Sequence, residues 1–299
     1  SITFKNNVAA GCERGGIRTD GETCGNSEWT GNEVHGCMQG VRIINFLPHY
    51  GGTNCASLSG FFVWQVYDYA FFLNDNNMIE FSYNTVVDST VGVMSVMGAP
   101  STLSHKYNED AKVTISNSTF IGHSANFDCS QSPPLAHQHA PGNFQRMSGI
   151  GHCGITFMSW GAKPGVEIPL KWNDPMSYNA LMGTMYLRDS TFVNYGAACS
   201  LHSSAIRTQP GDEDFNFPIF SSGITYINTA EDHYVFYDRP NLGKINPADC
   251  VDFPCDARKK ALIIDEDGTI SGNVGPSTII PDAAFQWDED RRYGTGYYR

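Results

Sequence analysis

Thiols, carboxylates and imidazoles are spread unevenly along this sequence, and their spacing limits the chemistry open to them. Nine cysteines stand beside only 19 Lys and Arg. Cys12 and Cys37 hold related positions in two copies of a recurring pattern, so stacking of the copies would bring them within disulfide range. Cys250 and Cys255 would close a small loop through Val251-Asp252-Phe253-Pro254. Buried free thiols and a zinc site are the alternatives to disulfides. No C-x-x-C is present and the histidines are irregularly spaced, which weighs against zinc. The odd count leaves at least one thiol free or bonded to another chain.

Three other constellations carry chemical interest. His137-Gln138-His139 with His152 could bind a metal or move protons, but no carboxylate stands beside them to orient an imidazole, and solvated loop histidines are the expectation. Asp265-Glu266-Asp267-Gly268 reads like the opening of a calcium loop, with Asp265 and Asp267 as the candidate Ca²⁺ ligands. Its later ligands are missing, since the following residues offer only Asn273 beyond hydroxyls, so an acidic turn between strands is expected. Asp68, Asp88 and Asp189, with Arg188 nearby, are the carboxylates that a polysaccharide-cleaving enzyme would have to bring together. Asp88 and Asp189 sit where turn residues belong. The sequon Asn117-Ser118-Thr119 makes Asn117 a candidate glycosylation site.

These residues belong to a repeating unit. An amide or acid is followed by a β-branched residue two positions later and a small residue eight positions later: Asn32, Val34, Gly40; Asn84, Val86, Gly92; Asn117, Thr119, Ala125; Asp189, Thr191, Ala197. A looser copy reads Asn6, Val8, Gly16. Irregular intervals between copies imply one strand-turn-strand unit carrying loops of different length, and units that cannot bury an apolar face alone must stack. Strand runs are expected over 41–46, 60–73, 78–83, 91–97 and 184–194, with Phe61-Phe62-Val63-Trp64 buried on both sides as in a parallel sheet. Residues 130–176, rich in Pro, Gly and His, are expected to form a projecting loop insertion, and the pattern loosens after about residue 205.

Parallel strands need crossovers, and no helical periodicity is available to supply them. The economical solution is a single all-β domain over residues 1–299: a right-handed, single-stranded parallel β-helix, or solenoid, with long loop insertions. The recurrent Asn or Asp would hydrogen-bond at the turns, and the small residue would face a crowded corner or adopt positive φ.

Bulk properties narrow the function. A net charge of −12 lacks the cationic surplus that nucleic-acid phosphates require. The cysteine content points to an oxidising compartment. No apolar run approaches the roughly 20 residues of a membrane span. The opening Ser1-Ile2-Thr3-Phe4 already reads as a strand, so the sequence is expected to be excised from a larger polypeptide.

Segments 6–18 (NNVAAGCERGGIR), 32–43 (NEVHGCMQGVRI), 124–129 (SANFDC), 185–193 (MYLRDSTFV) and 262–268 (LIIDEDG) resemble, in this order, the parallel β-helix region of the fibrocystin-L and fibrocystin family, itself distantly similar to the cell-migration-inducing hyaluronidase. The resemblance implies one domain of a very large extracellular, cell-surface, ciliary or flagellar protein with no established catalytic activity. It also suggests that Cys24 and Cys55 form a family pair, whereas Cys12 and Cys37 depart from the vertebrate pattern. The expected function is a non-enzymatic structural or adhesive one, contributing to a surface fibre or flagellar hair. Its partners would be other copies of the chain or flanking domains, and no resident cofactor is implied. The alternative is a carbohydrate-binding or polysaccharide-cleaving module.

Overall fold

A three-residue strand buries one side chain and turns two outward. The triplets Glu33–His35, Phe62–Trp64, Thr85–Val87, Thr119–Ile121 and Thr191–Val193 therefore each give the core a single residue: Val34, Val63, Val86, Phe120 or Phe192. So small a contribution stabilises nothing until the triplets are stacked in register. The computed structural model of the protein describes residues 3–19, 28–45, 55–75, 78–98, 112–128, 150–160, 184–196, 203–208, 219–238, 250–253, 263–280, 287–288 and 293–297. Within them the chain coils through three sheets, placing every third strand beside the last.

Each turn of the coil is a rung of three strands. Rung 1 comprises Thr3–Lys5, Val8–Ala10 and Gly15–Thr19, and rung 2 Glu28–Thr30, Glu33–His35 and Gln39–Asn45. Rung 3 comprises Cys55–Ser59, Phe62–Trp64 and Tyr69–Asp75, and rung 4 Met78–Ser82, Thr85–Val87 and Val91–Gly98. Rung 5 runs through Lys112–Ser116, Thr119–Ile121 and Cys153–Trp160, and rung 6 through Thr184–Arg188, Thr191–Val193 and Ser204–Thr208. Rung 7 is Ile219–Ser222, Thr225–Ile227 and Val235–Asp238. Successive rungs pair in parallel, as in Met78↔Lys112↔Thr184 of the first sheet and Thr85↔Thr119↔Thr191 of the second. This is the parallel β-helix that the repeats imply.

The core is a column of like residues on like. Phe81, Phe120, Phe192 and Tyr226 stack rung upon rung, with centroid separations of 6.3, 5.2 and 5.8 Å. In the first sheet Leu58, Phe81, Ile115 and Leu187 occupy one inward row, each fully buried. The same row continues into Ser221 and Asp265.

The two ends differ. At the C-terminal end, Ser277–Ile279 pairs antiparallel with Ile263–Asp265, and Tyr293–Tyr297 pairs antiparallel with Val235–Asp238, so the first and third sheets are closed by strands that reverse direction. At the other end each strand of rung 1 pairs only with rung 2 among the described residues, and Val8 is 64% exposed.

Several expectations are corrected. Residues 60–73 form two strands, because Gln65 turns the chain with a φ of 50°. Phe61 and Val63 are buried, but Phe62 is 42% exposed and Trp64 half-buried, so this run belongs to a sheet with one solvent face. The interval 130–176 contains Cys153–Trp160, which is the third strand of rung 5, and regular pairing continues through rung 7 beyond residue 206.

Candidate functional site

The polar residues of this coil concentrate at its corners. Between the first and second sheets one residue per rung adopts positive φ: Asn6, Gly31, Gly60, Tyr83, Asn117, Asp189 and Gly223. In rungs 2, 4, 5 and 6 the following residue is polar and buried, and it satisfies backbone groups that the turn leaves unpaired. Asn32 Oδ1 accepts the N–H of Asn7 at 3.0 Å, and Asn32 Nδ2 donates to Phe4 O at 2.9 Å. Asn84 repeats this between Phe61 N, at 2.8 Å, and Leu58 O, at 3.1 Å. Ser118 and Ser190 then replace the amide with a hydroxyl. Ser118 Oγ accepts Asn84 N at 3.2 Å and donates to Ser116 O at 2.7 Å, while Ser190 Oγ accepts Ser118 N at 3.5 Å and donates to Arg188 O at 2.8 Å.

This corrects the repeat register. Asn32 and Asn84 are ladder residues, whereas Asn6, Asn117 and Asp189 stand one position earlier, in the positive-φ slot that Asn and Asp tolerate. The repeat pattern passes over the ladder residues Ser118 and Ser190. Their signal was present in the buried Phe120 and Phe192 two positions on, matching Val34 after Asn32.

A second ladder runs along the corner between the second and third sheets. Ser89 Oγ accepts Val66 N at 3.4 Å, and Thr229 Oγ1 accepts Tyr195 N at 3.1 Å. Cys37 fills the same slot: its Sγ accepts Cys12 N at 3.2 Å and lies 3.3 Å from His35 O. Cys12 and Cys37 do stack on adjacent rungs, but both are free thiols, with Cys37 in the role of a hydroxyl. Burial, reinforced by the Cys12 thiol, pushes the Cys37 thiol from near 9 up to about 11. That environment favours the neutral, unreactive form. Cys153 is also buried. Cys250 is disulfide-bonded, while Cys255 lies outside the described residues.

Of the carboxylates that could cleave a polysaccharide, Asp68 and Asp88 lie on the second corner in adjacent rungs and Asp189 lies on the first corner. Asp88, on the second corner, accepts Ser124 N at 2.6 Å and Ser124 Oγ at 2.8 Å. Asp189 stands exposed on the first corner, two rungs away. Asp68 accepts Gln39 Nε2 at 3.3 Å just before a strand of the third sheet. Arg188 faces out from the first sheet, paired with Glu266 and donating to Ser222 Oγ at 2.8 Å. His152 is buried, and His137 and His139 lie outside the described residues. Asn117 is exposed on its corner, as a glycan acceptor must be.

The first sheet's outer face carries aromatic rings, but they stack on one another. Tyr186 and Phe220 lie 5.5 Å apart and nearly parallel, with Lys112 and Arg188 within 5.0 Å of the Tyr186 ring. Ring faces engaged in this way offer little to a sugar.

Near the reversing strand at the C-terminal end, Asp267 accepts Gly223 N at 2.7 Å and both Thr269 N and Thr269 Oγ1. Burial alone would raise its pKa, but the hydrogen bonds from Gly223 and Thr269, with one from Asp265, hold it below the usual value. Asp265 Oδ2 accepts Ile270 N at 3.1 Å and Ser271 N at 2.7 Å. Among the described residues no three His, Cys, Asp or Glu side chains gather as metal ligands, and no helix is long and apolar enough to cross a membrane.

No family model matches this sequence. Individual proteins do. Fibrocystin-L of Mus musculus is 33% identical over 310 residues and fibrocystin-L of Homo sapiens 32% identical over 309, each alignment covering 100% of this chain. Fibrocystin of Canis lupus familiaris is 26% identical over 313 residues, again across the whole chain. Over its whole length, the chain is a relative of the fibrocystins. It spans about 7% of the length of these relatives, so it matches one region of each of them. Of the cysteine pair that the fibrocystin resemblance suggests, Cys24 lies outside the described residues, and Cys55 is seen as the first backbone position of a strand.

Proposed function

We propose that this fibrocystin-type region is a non-enzymatic structural segment of an extracellular cell-surface protein, a stiff spacer whose open first rung docks against a flanking domain. The observation that carries the reading is the use of the corner residues. In both ladders the polar side chains hold one rung to the next, Asp88 and Asp68 are engaged by Ser124 and Gln39, and Asp189 lies on the other corner. A glycosidase needs two carboxyl groups within about 5–10 Å of each other across a bound sugar. The stacked rings on the outer face of the first sheet weigh against a carbohydrate-binding surface there.

The asymmetry of the ends supports the docking surface. Strand reversal closes two sheets at one end, while rung 1 leaves its outer edge unpaired among the described residues, with apolar Val8 exposed beside it. An open parallel edge is a template for another strand. A flanking domain fits it better than a second copy, because end-to-end growth of a fibre needs two open ends.

Incubating the chain with hyaluronan, pectin-like and algal polysaccharides, then measuring polymer length and retention on immobilised glycan, tests the first half. No shortening and no retention are expected, and reproducible depolymerisation would overturn the reading. For the second half, light scattering of the chain over a range of concentrations should report a monomer. Adding the sequence that precedes this region in the parent protein should raise its thermal midpoint.

A further inference from the structure

We infer that the C-terminal end of the stack holds a hard divalent cation, Ca²⁺ in an extracellular setting, between the carboxylates of Asp265 and Asp267. Asp265 lies in the inward row of the first sheet, in register with Ser221 and continuous with Leu187, Ile115, Phe81 and Leu58. It is 0% exposed. A carboxylate buried in an apolar column carries a large desolvation cost unless it is compensated.

The compensation visible in the chain is incomplete. Asp265 Oδ2 accepts two backbone N–H groups, from Ile270 and Ser271, but Asp265 Oδ1 is buried without a partner. The Asp267 carboxyl lies within hydrogen-bonding reach of the Asp265 carboxyl, and Asp267 accepts from Gly223 N, Thr269 N and Thr269 Oγ1. Ionised carboxylates only accept, so two in contact need a positive species between them. Oδ1 of Asp265 has both lone-pair directions unused. Three of roughly four acceptor directions on Asp267 are filled, leaving one.

Oxygen-only donors, two of them anionic, select a hard cation, and Ca²⁺ tolerates the irregular geometry of a turn where Mg²⁺ demands a near-ideal octahedron. Backbone carbonyls and water would complete the shell. With two carboxylates the affinity belongs in the range of extracellular modules, a Kd of about 10⁻⁴–10⁻³ M. The ion would tie the turn after Ile263–Asp265 to rung 7 through Gly223, and so secure the strand reversal that closes the stack.

The rival occupant of the gap is a proton, with Asp265 neutral and donating to Asp267. Calorimetric titration of the 299-residue chain with CaCl₂ and with MgCl₂, together with thermal midpoints in each salt and in chelator, separates the two. Saturating Ca²⁺ should raise the midpoint by about 3 °C relative to chelator, and Mg²⁺ by less. Asp265→Asn keeps an acceptor for Ile270 and Ser271 and sets an N–H donor against Asp267, reproducing the proton. It should fold in chelator and lose the calcium shift. Asp267→Asn serves as a second test, should Asp265→Asn fail to fold, with at least a tenfold loss of affinity expected. No heat and no shift with the unaltered chain would overturn the site in favour of the shared proton, and a shift undiminished in both variants would place the ion elsewhere.

Discussion

At the residue scale, the two corner ladders are filled by side chains of different chemistry. Asn84 spans from Phe61 N to Leu58 O with two polar atoms, Ser118 does similar work with one hydroxyl, and Cys37 with a thiol. Asn84→Ala should therefore strand a buried donor and a buried acceptor, and cost about 2–4 kcal/mol in urea unfolding. Asn117→Ala, one slot earlier and exposed, should lose only the preference for positive φ, about 1 kcal/mol. If the two substitutions cost the same, the ladder assignment fails. Cys37 makes a second, pH-dependent prediction. Its folded thiol keeps its proton to about pH 11 while an unfolded thiol loses it near 9, so between those values the unfolded chain binds fewer protons and stability falls as pH rises. Cys37→Ser retains the acceptor for Cys12 N and has no such titration. Under reducing conditions the thermal midpoint of the unaltered chain should drop from the lower to the upper end of that window, and that of the variant should drop less.

At the element scale, short strands make close approach decisive. Gly40 and Gly92 were expected either to face a crowded corner or to take positive φ, and crowding is what the coil imposes. A Cβ on Gly92 would collide with the carbonyl oxygen of Gly154 one rung on and press Phe120 at 3.0 Å, and one on Gly40 would collide with Ala70 O. Backbone oxygens cannot yield as a side-chain end can. Gly92→Ala should cost about 1–3 kcal/mol through overpacking, read as a lower urea midpoint with an unchanged slope. Gly196→Ala, with open space at its Cβ, is the matched control and should stay within about 0.5 kcal/mol.

At the scale of the whole molecule, the coil has a direction. Every corner ladder accepts from the preceding rung, and the reversing strands stand at one end only. A chain ending at residue 280 would lose Tyr293–Tyr297 and bare the edge of Val235–Asp238. Such an edge invites pairing. Light scattering of that truncated chain should show association that grows with concentration, against a monomer for the intact chain, and a monomer in both would remove the capping role of the last strands.

Sequence alone determined the stacked β architecture, because turn residues and alternating apolar positions recur with a common unit, and such a unit buries its inward residue only against its own copies. It also determined the relationship to fibrocystin-L, which rests on residue order. Tertiary structure decided what single positions do. Asn, Asp and Gly suit both a positive-φ slot and a ladder slot one residue later, and only rung register shows that Asn84 bridges rungs while Asn117 turns the chain. Register likewise set Cys37 beside Cys12 as an acceptor instead of a bridge, gave Cys153–Trp160 to the third sheet, and put Asp265 in the apolar column against Asp267. Contacts between rungs join residues some 25 to 70 positions apart across loops of unequal length, so local spacing carries no record of which groups finally meet.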